Sequence, residues 1–409
     1  MAEPKIRFKG YNDEWVVSSY CEIAKSFKYG LNACAISFDG MNKYLRITDI
    51  DDETRCFIQS QLTTPGIDLS FADEYLLQDG DITFARTGAS VGKSYIYHKY
   101  DGKAYFAGFL IRMQTIDSVS PDFIFQNSLT SRFLNHIKIV SQRSGQPGIN
   151  TNELKAYELL IPDSLAEQQQ IASCFKSLDT LIQSTKKKIA SLKQLKSASL
   201  ISMFPQAGET KPRVRFKGFK GDWEKKKLLD IASFSKGRGY SKSDIVENGT
   251  PLVLYGRLYT KYELSINNVD TYAYLKQGSV LSEGNEIIIP ASGETAEDIA
   301  VASVVRQKNV ILGGDLNIVK LLKDVPEFCA LEITYGNAHN ELVRVAQGKT
   351  VVHLHNSEIC KKEIALPSLA EQKKIASFFC SLDARISLET QRLNKLKQIK
   401  SACLDKMFV

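Results

Sequence analysis

The chain has 409 residues, 43% of them hydrophobic and 24% charged, with a formal net charge of +7. That length suits two or more domains with cores of their own. The absence of any run of about 18 apolar residues argues against a membrane span, and the mild positive excess permits a nucleic-acid partner without demanding one. Eight scattered cysteines contain no Cys-x-x-Cys pair, so neither a zinc ribbon nor a dithiol redox motif is indicated, and reduced thiols in a cytoplasmic protein are expected. Met1-Ala2-Glu3-Pro4-Lys5 has no apolar core, so no signal peptide is expected.

In chain order, Pro4-Lys5-Ile6-Arg7-Phe8-Lys9-Gly10-Tyr11 leads to Trp15. Short β-branched or apolar runs at 44–47, 81–85, 94–97 and 109–112 then read as strands between turns. Residues 121–140 read as a helix. The segment Arg86-Thr87-Gly88-Ala89-Ser90-Val91-Gly92-Lys93-Ser94 imitates a phosphate-binding loop. It fails because Thr87 stands where the motif needs glycine and a strand-like run follows in place of a helix. Two readings stay open: a plain hairpin turn, or a loop whose Arg86, Thr87, Ser90 and Lys93 meet phosphates or base edges. Gln142, Arg143 and Gln146 in the next glycine turn are candidates for adenine or guanine edges, which Gln and Arg can contact through two hydrogen bonds.

At Ser164-Leu165-Ala166-Glu167-Gln168 a capping box opens a run of about 40 residues free of Gly and Pro. Ser164 is expected to accept from the Glu167 amide while the Glu167 carboxylate reaches back to the cap. Ile171, Phe175, Leu178, Ile182, Ile189 and Leu192, with Thr185 in one slot, form an a/d heptad seam. Lys186, Lys187, Lys188, Lys193 and Lys196 follow with no acid among residues 181–205. The stretch at 206–211, between Pro205 and Pro212, reads as a linker.

The second half then repeats the first. Pro212-Arg213-Val214-Arg215-Phe216-Lys217-Gly218-Phe219 and Trp223 echo the start, and Ser368-Leu369-Ala370-Glu371-Gln372 opens an equivalent helix 204 residues after its first copy. Its seam is Ile375, Phe379, Leu382, Ile386, Leu393 and Leu396, with Glu389 in the Thr185 slot; Met407-Phe408 echoes Met203-Phe204. Between the matched ends the bodies barely align. In the second body Lys236, Arg238, Tyr240, Arg257 and Tyr259 interleave basic and aromatic residues, while Ser292, Gln347 and Lys349 sit in turns that correspond to those of the first. Each could equally belong to an ordinary edge strand or turn.

The organisation expected is therefore α+β: two mixed β-rich bodies (1–160 and 212–365), each followed by a helical spacer (161–205 and 366–409), with linker 206–211. The two seams most simply pack as an antiparallel pair in a pseudo-twofold molecule. No paired prolines of an amino-methyltransferase motif occur, His339, His353 and His355 lack a carboxylate-rich partner motif, and no Ser/His/Asp arrangement is legible. Nothing supports intrinsic catalysis.

Two variable bodies, each followed by a long helix opening with Pro, Leu-Ala-Glu-Gln and Ile-Ala, resemble the specificity subunit of type I restriction–modification enzymes along the whole chain. The resemblance implies that each body is a target recognition domain reading one half of a bipartite, asymmetric double-stranded DNA site. It implies a helical spacer and dock for two methylation subunits, for which Glu167, Gln168, Phe175, Leu178, Ile182, Glu371, Gln372, Phe379, Leu382 and Ile386 are the candidate residues. S-adenosylmethionine, ATP and Mg would belong to the methylation and restriction (translocase/nuclease) subunits, with no cofactor, metal or membrane bound by this chain. A stand-alone DNA-binding regulator and a protein-binding adaptor remain the alternatives.

Overall fold

The structure, a computed structural model, describes residues 4–206, 208–346 and 351–408. Residue contacts divide the chain into two units, Met1–Lys187 with Thr390–Val409, and Lys188–Glu389. Both cuts fall inside the long helices Leu165–Met203 and Leu369–Met407. Each unit thus contains one β-rich body, part of its own helix and part of the other.

In the first unit a four-stranded antiparallel sheet runs in the order Ala24–Tyr29, Leu110–Thr115, Ile82–Ala85, Ser94–Ile96. Ile82–Ala85 is buried throughout, as an inner strand must be when its sheet is covered on both faces. Its register is fixed by Ile82 opposite Met113 and Phe84 opposite Ile111. Tyr20, Phe84, Phe133 and Tyr157 form an aromatic cluster beneath it. A separate antiparallel pair, Trp15–Ser19 with Glu158–Pro162, leads the chain into the first long helix.

The second unit repeats this order with different side chains. Ala232–Lys236, Leu316–Leu321, Glu286–Pro290 and Ser303–Val305 are neighbours in sequence of pairing, and Ser265–Ile266 adds a fifth, parallel strand. Glu224–Lys227 pairs with Glu363–Leu366 as the entry to the second helix. The core here is mostly aliphatic, with Ile287, Ile289, Val304 and Val319 fully buried.

The two tryptophans hold equivalent places. Trp15 meets Phe123 edge-on at 6.0 Å, and Trp223 meets Phe328 at 5.4 Å. Each phenylalanine lies on a helix that begins with proline, Pro121–Asn127 or Pro326–Tyr335, where the missing N–H costs nothing. The helix expected over 121–140 is two helices, Pro121–Asn127 and Ser131–Val140. The break is chemical: the Thr130 hydroxyl accepts from the Phe133 amide at 3.2 Å and caps a new helix.

Within each unit the long helices run antiparallel. In the first, Phe175 neighbours Phe408 at 5.8 Å and Asp179 pairs with Lys400 at 2.6 Å. In the second, Lys188 pairs with Glu389, Lys196 with Asp383 at 2.5 Å, and Phe204 neighbours Phe379 at 6.0 Å. Phe175, Ile182, Phe379 and Leu382 are buried, while Leu178 and Ile386 are half-buried. The lysine run has its acids elsewhere in the chain: Lys186 meets Glu53 at 2.6 Å, and Lys188 and Lys196 meet the second helix.

Candidate nucleic-acid interface

The first body brings its two glycine turns together. Thr87 bridges to Gly148, the Gly88 N–H donates to the Pro147 carbonyl at 2.9 Å, and the Ile149 N–H donates to the Arg86 carbonyl at 2.9 Å. Gly88 and Gly92 adopt φ of 76° and 81°, the left-handed region that glycine enters without strain. A Cβ on Gly92 would stand 2.6 Å from the Ile137 side chain, so the loop must lie close to the helix Ser131–Val140. The hairpin-turn geometry thus accounts for the glycines, and the surface it builds presents the polar residues.

At that surface the Arg86 guanidinium lies 4.6 Å from the Tyr29 ring centre. The Tyr29 hydroxyl accepts from the Thr151 amide at 3.1 Å. Burial raises the Tyr29 hydroxyl pKa, but the Thr151 hydrogen bonds and the Arg86 charge outweigh it and leave it below the ordinary tyrosine value. Phe109 is 64% exposed beside them. Arg86, Tyr29, Thr87 and Phe109 border an open cavity of about 780 Å³ that also reaches Tyr44 and Arg46. Gln142, Arg143 and Gln146 are exposed, Arg143 being paired with Glu153; Thr87 and Ser90 are partly exposed.

Lys93 departs from the expectation of a DNA contact. It is 7% exposed, and its ammonium donates to the Ile50 carbonyl at 3.0 Å and to Asp52 at 2.6 Å. Burial of a cation requires such partners, so Lys93 ties the loop to an upstream turn. Sequence reasoning passed over Tyr29 and Phe109, the exposed aromatics flanking Arg86. Their signal was available: a tyrosine and a phenylalanine each next to a glycine at a strand end.

In the second body Lys236 and Arg238 are exposed. Tyr240 has φ of 61°, and its hydroxyl accepts from the Lys276 amide at 2.8 Å while the Lys276 ammonium lies 4.8 Å from its ring centre. Arg257 is held internally by Glu263 at 2.7 Å and Asp270 at 2.5 Å. Burial lowers its pKa, but those two carboxylates more than reverse the shift. Tyr259 is half-buried near Tyr255, and Ser292 is buried in a two-residue pairing with His353 and Val352. Arg257 and Ser292 are therefore turned to internal contacts, not to the surface. Gln347 and Lys349 lie outside the described residues. The His353 and His355 rings are parallel, 6.2 Å apart and on exposed residues.

The helix-opening residues serve as braces. Glu167 is 1% exposed and accepts two hydrogen bonds from Arg7, at 2.7 and 2.9 Å. Arg215 and Glu371 reproduce the pair at 2.6 Å on both arms. The expected capping box is therefore only half present. The Glu167 and Glu371 amides reach Ser164 and Ser368 at 3.4 Å, but both carboxylates turn to the arginines. Gln168 accepts from the Ser120 amide at 2.8 Å and donates to the Pro162 carbonyl at 2.8 Å; Gln372 does the same with Val325 and Pro367, each at 3.0 Å. Each Glu-Gln pair thus locks a helix start to the opening segment and sheet exit of its own body. Buried at this depth, the four residues offer no surface for docking.

Among the described residues, no group of three or more His, Cys, Asp or Glu is placed to hold a metal ion, and no helix is long and apolar enough to cross a membrane.

Comparison with known proteins agrees with this duplicated plan. A family model described as the type I restriction modification DNA specificity domain matches residues 12–194 and again 220–398. The chain is similar to the type I restriction enzyme MjaVIII specificity subunit of Methanocaldococcus jannaschii, 21% identical over 368 residues, which cover 81% of this chain and 79% of that protein. Its fold is similar to that of the type I restriction–modification S subunit from M. genitalium, with TM-score 0.64 and 13% identity over 100% of this chain and 99% of that one. A chain from a structure describing complex assembly and conformational transition of the type I R–M system is similar at TM-score 0.52 and 14% identity, over 97% and 98%. With both halves matched by one family model and the same braced body-and-helix unit built twice, the chain belongs to the type I restriction–modification DNA specificity family.

Proposed function

We propose that this chain is the specificity subunit of a type I restriction–modification complex, in which each β-rich body reads one half of a bipartite, asymmetric double-stranded DNA site. The long helices space the bodies and dock two methylation subunits, which bring S-adenosylmethionine and methylate adenine. Restriction subunits add ATP- and Mg-dependent translocation and cleavage. The chain itself is non-catalytic, binds no cofactor and works in the cytoplasm.

The observation that best supports this reading is one sheet order used twice with different exposed side chains at its loop tips. A single scaffold with two different surfaces suits two unlike half-sites. The modest net charge of +7 suits a subunit that shares with partners the phosphate contacts that dominate affinity.

The test is co-expression with its genomic neighbours, followed by purification of whatever methyltransferase binds. A two-to-one complex that methylates one split sequence is expected, read by methylation sequencing of host DNA with and without this chain. Tight sequence-specific binding by the isolated chain, with no methyltransferase co-purifying, would instead indicate a regulator. A protein complex indifferent to DNA would indicate an adaptor.

A further inference from the structure

The two bodies share a backbone framework that their sequences conceal. At the end of Ala24–Tyr29 the Gly30 N–H donates to the Leu110 carbonyl at 3.1 Å; at the end of Ala232–Lys236 the Gly237 N–H donates to the Leu316 carbonyl at 2.9 Å. A Cβ on either glycine would collide with backbone, 2.2 Å from the Ala107 oxygen or 1.9 Å from the Gly313 oxygen. The next amides, of Leu31 and Arg238, donate to Phe106 at 2.8 Å and Leu312 at 3.1 Å. After the inner strands, the Arg86 amide donates to Phe109 at 2.9 Å and the Ala291 amide to Asp315 at 2.7 Å. The carbonyls of Arg86 and Ala291 in turn accept from Ile149 at 2.9 Å and Leu354 at 3.0 Å.

These matched bonds make Tyr29 equivalent to Lys236, Arg86 to Ala291, and Phe109 to Asp315. All the bonds are main-chain bonds, so the side chains at these positions are free to differ. They differ in charge and shape, on a framework that does not.

In the first unit the Arg86 guanidinium carbon lies over the Tyr29 ring, and the Thr151 amide holds the ring's hydroxyl. The Arg86 Nε is buried without a hydrogen-bond partner, and no ion pair holds the group among the described residues. With Nε buried, the two terminal nitrogens of the guanidinium are the pair that suits the O6 and N7 acceptors of a guanine. In the second unit that place is an alanine. There the Tyr29 place carries a cation, Lys236, and the Phe109 place an acceptor, Asp315, which is exposed and held at φ of 57°.

Resting on the DNA-reading function above, we propose that Tyr29, Arg86 and Phe109 in one body, and Lys236, Ala291 and Asp315 in the other, are equivalent base-reading positions. Arg86, lying over Tyr29, reads a guanine of the first half-site.

The experiment uses the full complex with its methylation subunits and begins by sequencing the wild-type motif. Arg86→Ala and Arg86→Lys are then expected to relax one guanine in one half of the motif, with methylation of the original site falling roughly ten- to a hundredfold. The other half should be unchanged, and Asp315→Ala should relax only that other half. Without any mutation, 7-deazaguanine placed at each guanine of the first half-site should weaken the wild-type complex at one position, and Arg86→Ala should lose nothing further there. An unchanged first-half motif in Arg86→Ala overturns the assignment. So does a uniform loss across all sequences with a salt dependence weakened by about one phosphate contact. A wild-type complex that methylates no defined sequence overturns the DNA-reading itself.

Discussion

Lys196 on the first long helix pairs with Asp383 on the second at 2.5 Å, and the repeat reproduces the contact as Lys400 with Asp179 at 2.6 Å. Each lysine side chain is 18% exposed and each aspartate about a third. Partial exposure limits such a pair to about 0.5–1 kcal/mol. Lys196→Asp is expected to cost about 1 kcal/mol by setting two carboxylates together, and adding Asp383→Lys should recover most of it. Denaturant titration of the single and double variants measures the coupling. Additive losses with no rescue would mean that the pair does not hold the helices.

A matched seven-residue insertion in both helices, after Lys187 and after Glu389, keeps the heptad seams in phase. It lengthens the helical spacer by about 10 Å at 1.5 Å per residue. The gap between methylated half-sites should grow by about three base pairs, given 3.4 Å per step, with both half-sites unchanged. Sequencing the methylated motif reads the gap directly, and an unaltered gap would sink the spacer role.

Gly30 and Gly237 sit where their backbones touch another strand end. Alanine at either should cost about 2–4 kcal/mol, since the obstacle is a carbonyl and not a movable side chain. Gly145, with nothing within 4 Å of a Cβ and no positive φ, should accept alanine within about 0.5 kcal/mol. Thermal melts of the three variants compare them, and equal costs would show that the close approach is not real.

Glu332 is fully buried in the second unit; Oε1 accepts from the Ala365 amide at 3.3 Å and Oε2 has no hydrogen-bond partner. Burial pushes its pKa up to about 8. The folded state therefore keeps a proton that the unfolded chain releases near pH 4.3. That contribution to stability is complete below the unfolded value and is lost as pH rises through 8. Glu332→Gln removes the titration, so it should be more stable than wild type by on the order of 1–3 kcal/mol at pH 9, with a much smaller difference at pH 5. Melting curves across that range decide it, and parallel pH profiles would contradict the assignment.

The helices were legible because their information is local: heptad spacing, proline before the start, and an uninterrupted run. The braces were visible only as a repeated phrase. Nothing in Glu167 shows that its partner is Arg7, which lies 160 residues away. The same distance hides the fate of the lysines. Lys93 looks like a loop cation until Ile50 and Asp52 are folded against it, and the acid-free run at 186–196 looks unpaired until Glu53, Asp383 and Glu389 arrive. The correspondence of the bodies was illegible for another reason. It is written in main-chain hydrogen bonds at Gly30 and Gly237, and the neighbouring side chains obscure it because they differ.

Phe408, 7% exposed, packs against Phe123 at 5.0 Å and Phe175 at 5.8 Å in the core of the first unit, as Phe204 packs against Phe328 in the second. On the ribosome the first body emerges about 200 residues before the phenylalanine that completes its core, a delay of roughly 10–40 s at ordinary elongation rates. During that interval its Phe123 and Phe175 lack their final neighbour, so the core of the first unit closes only when the last helix turn has been made.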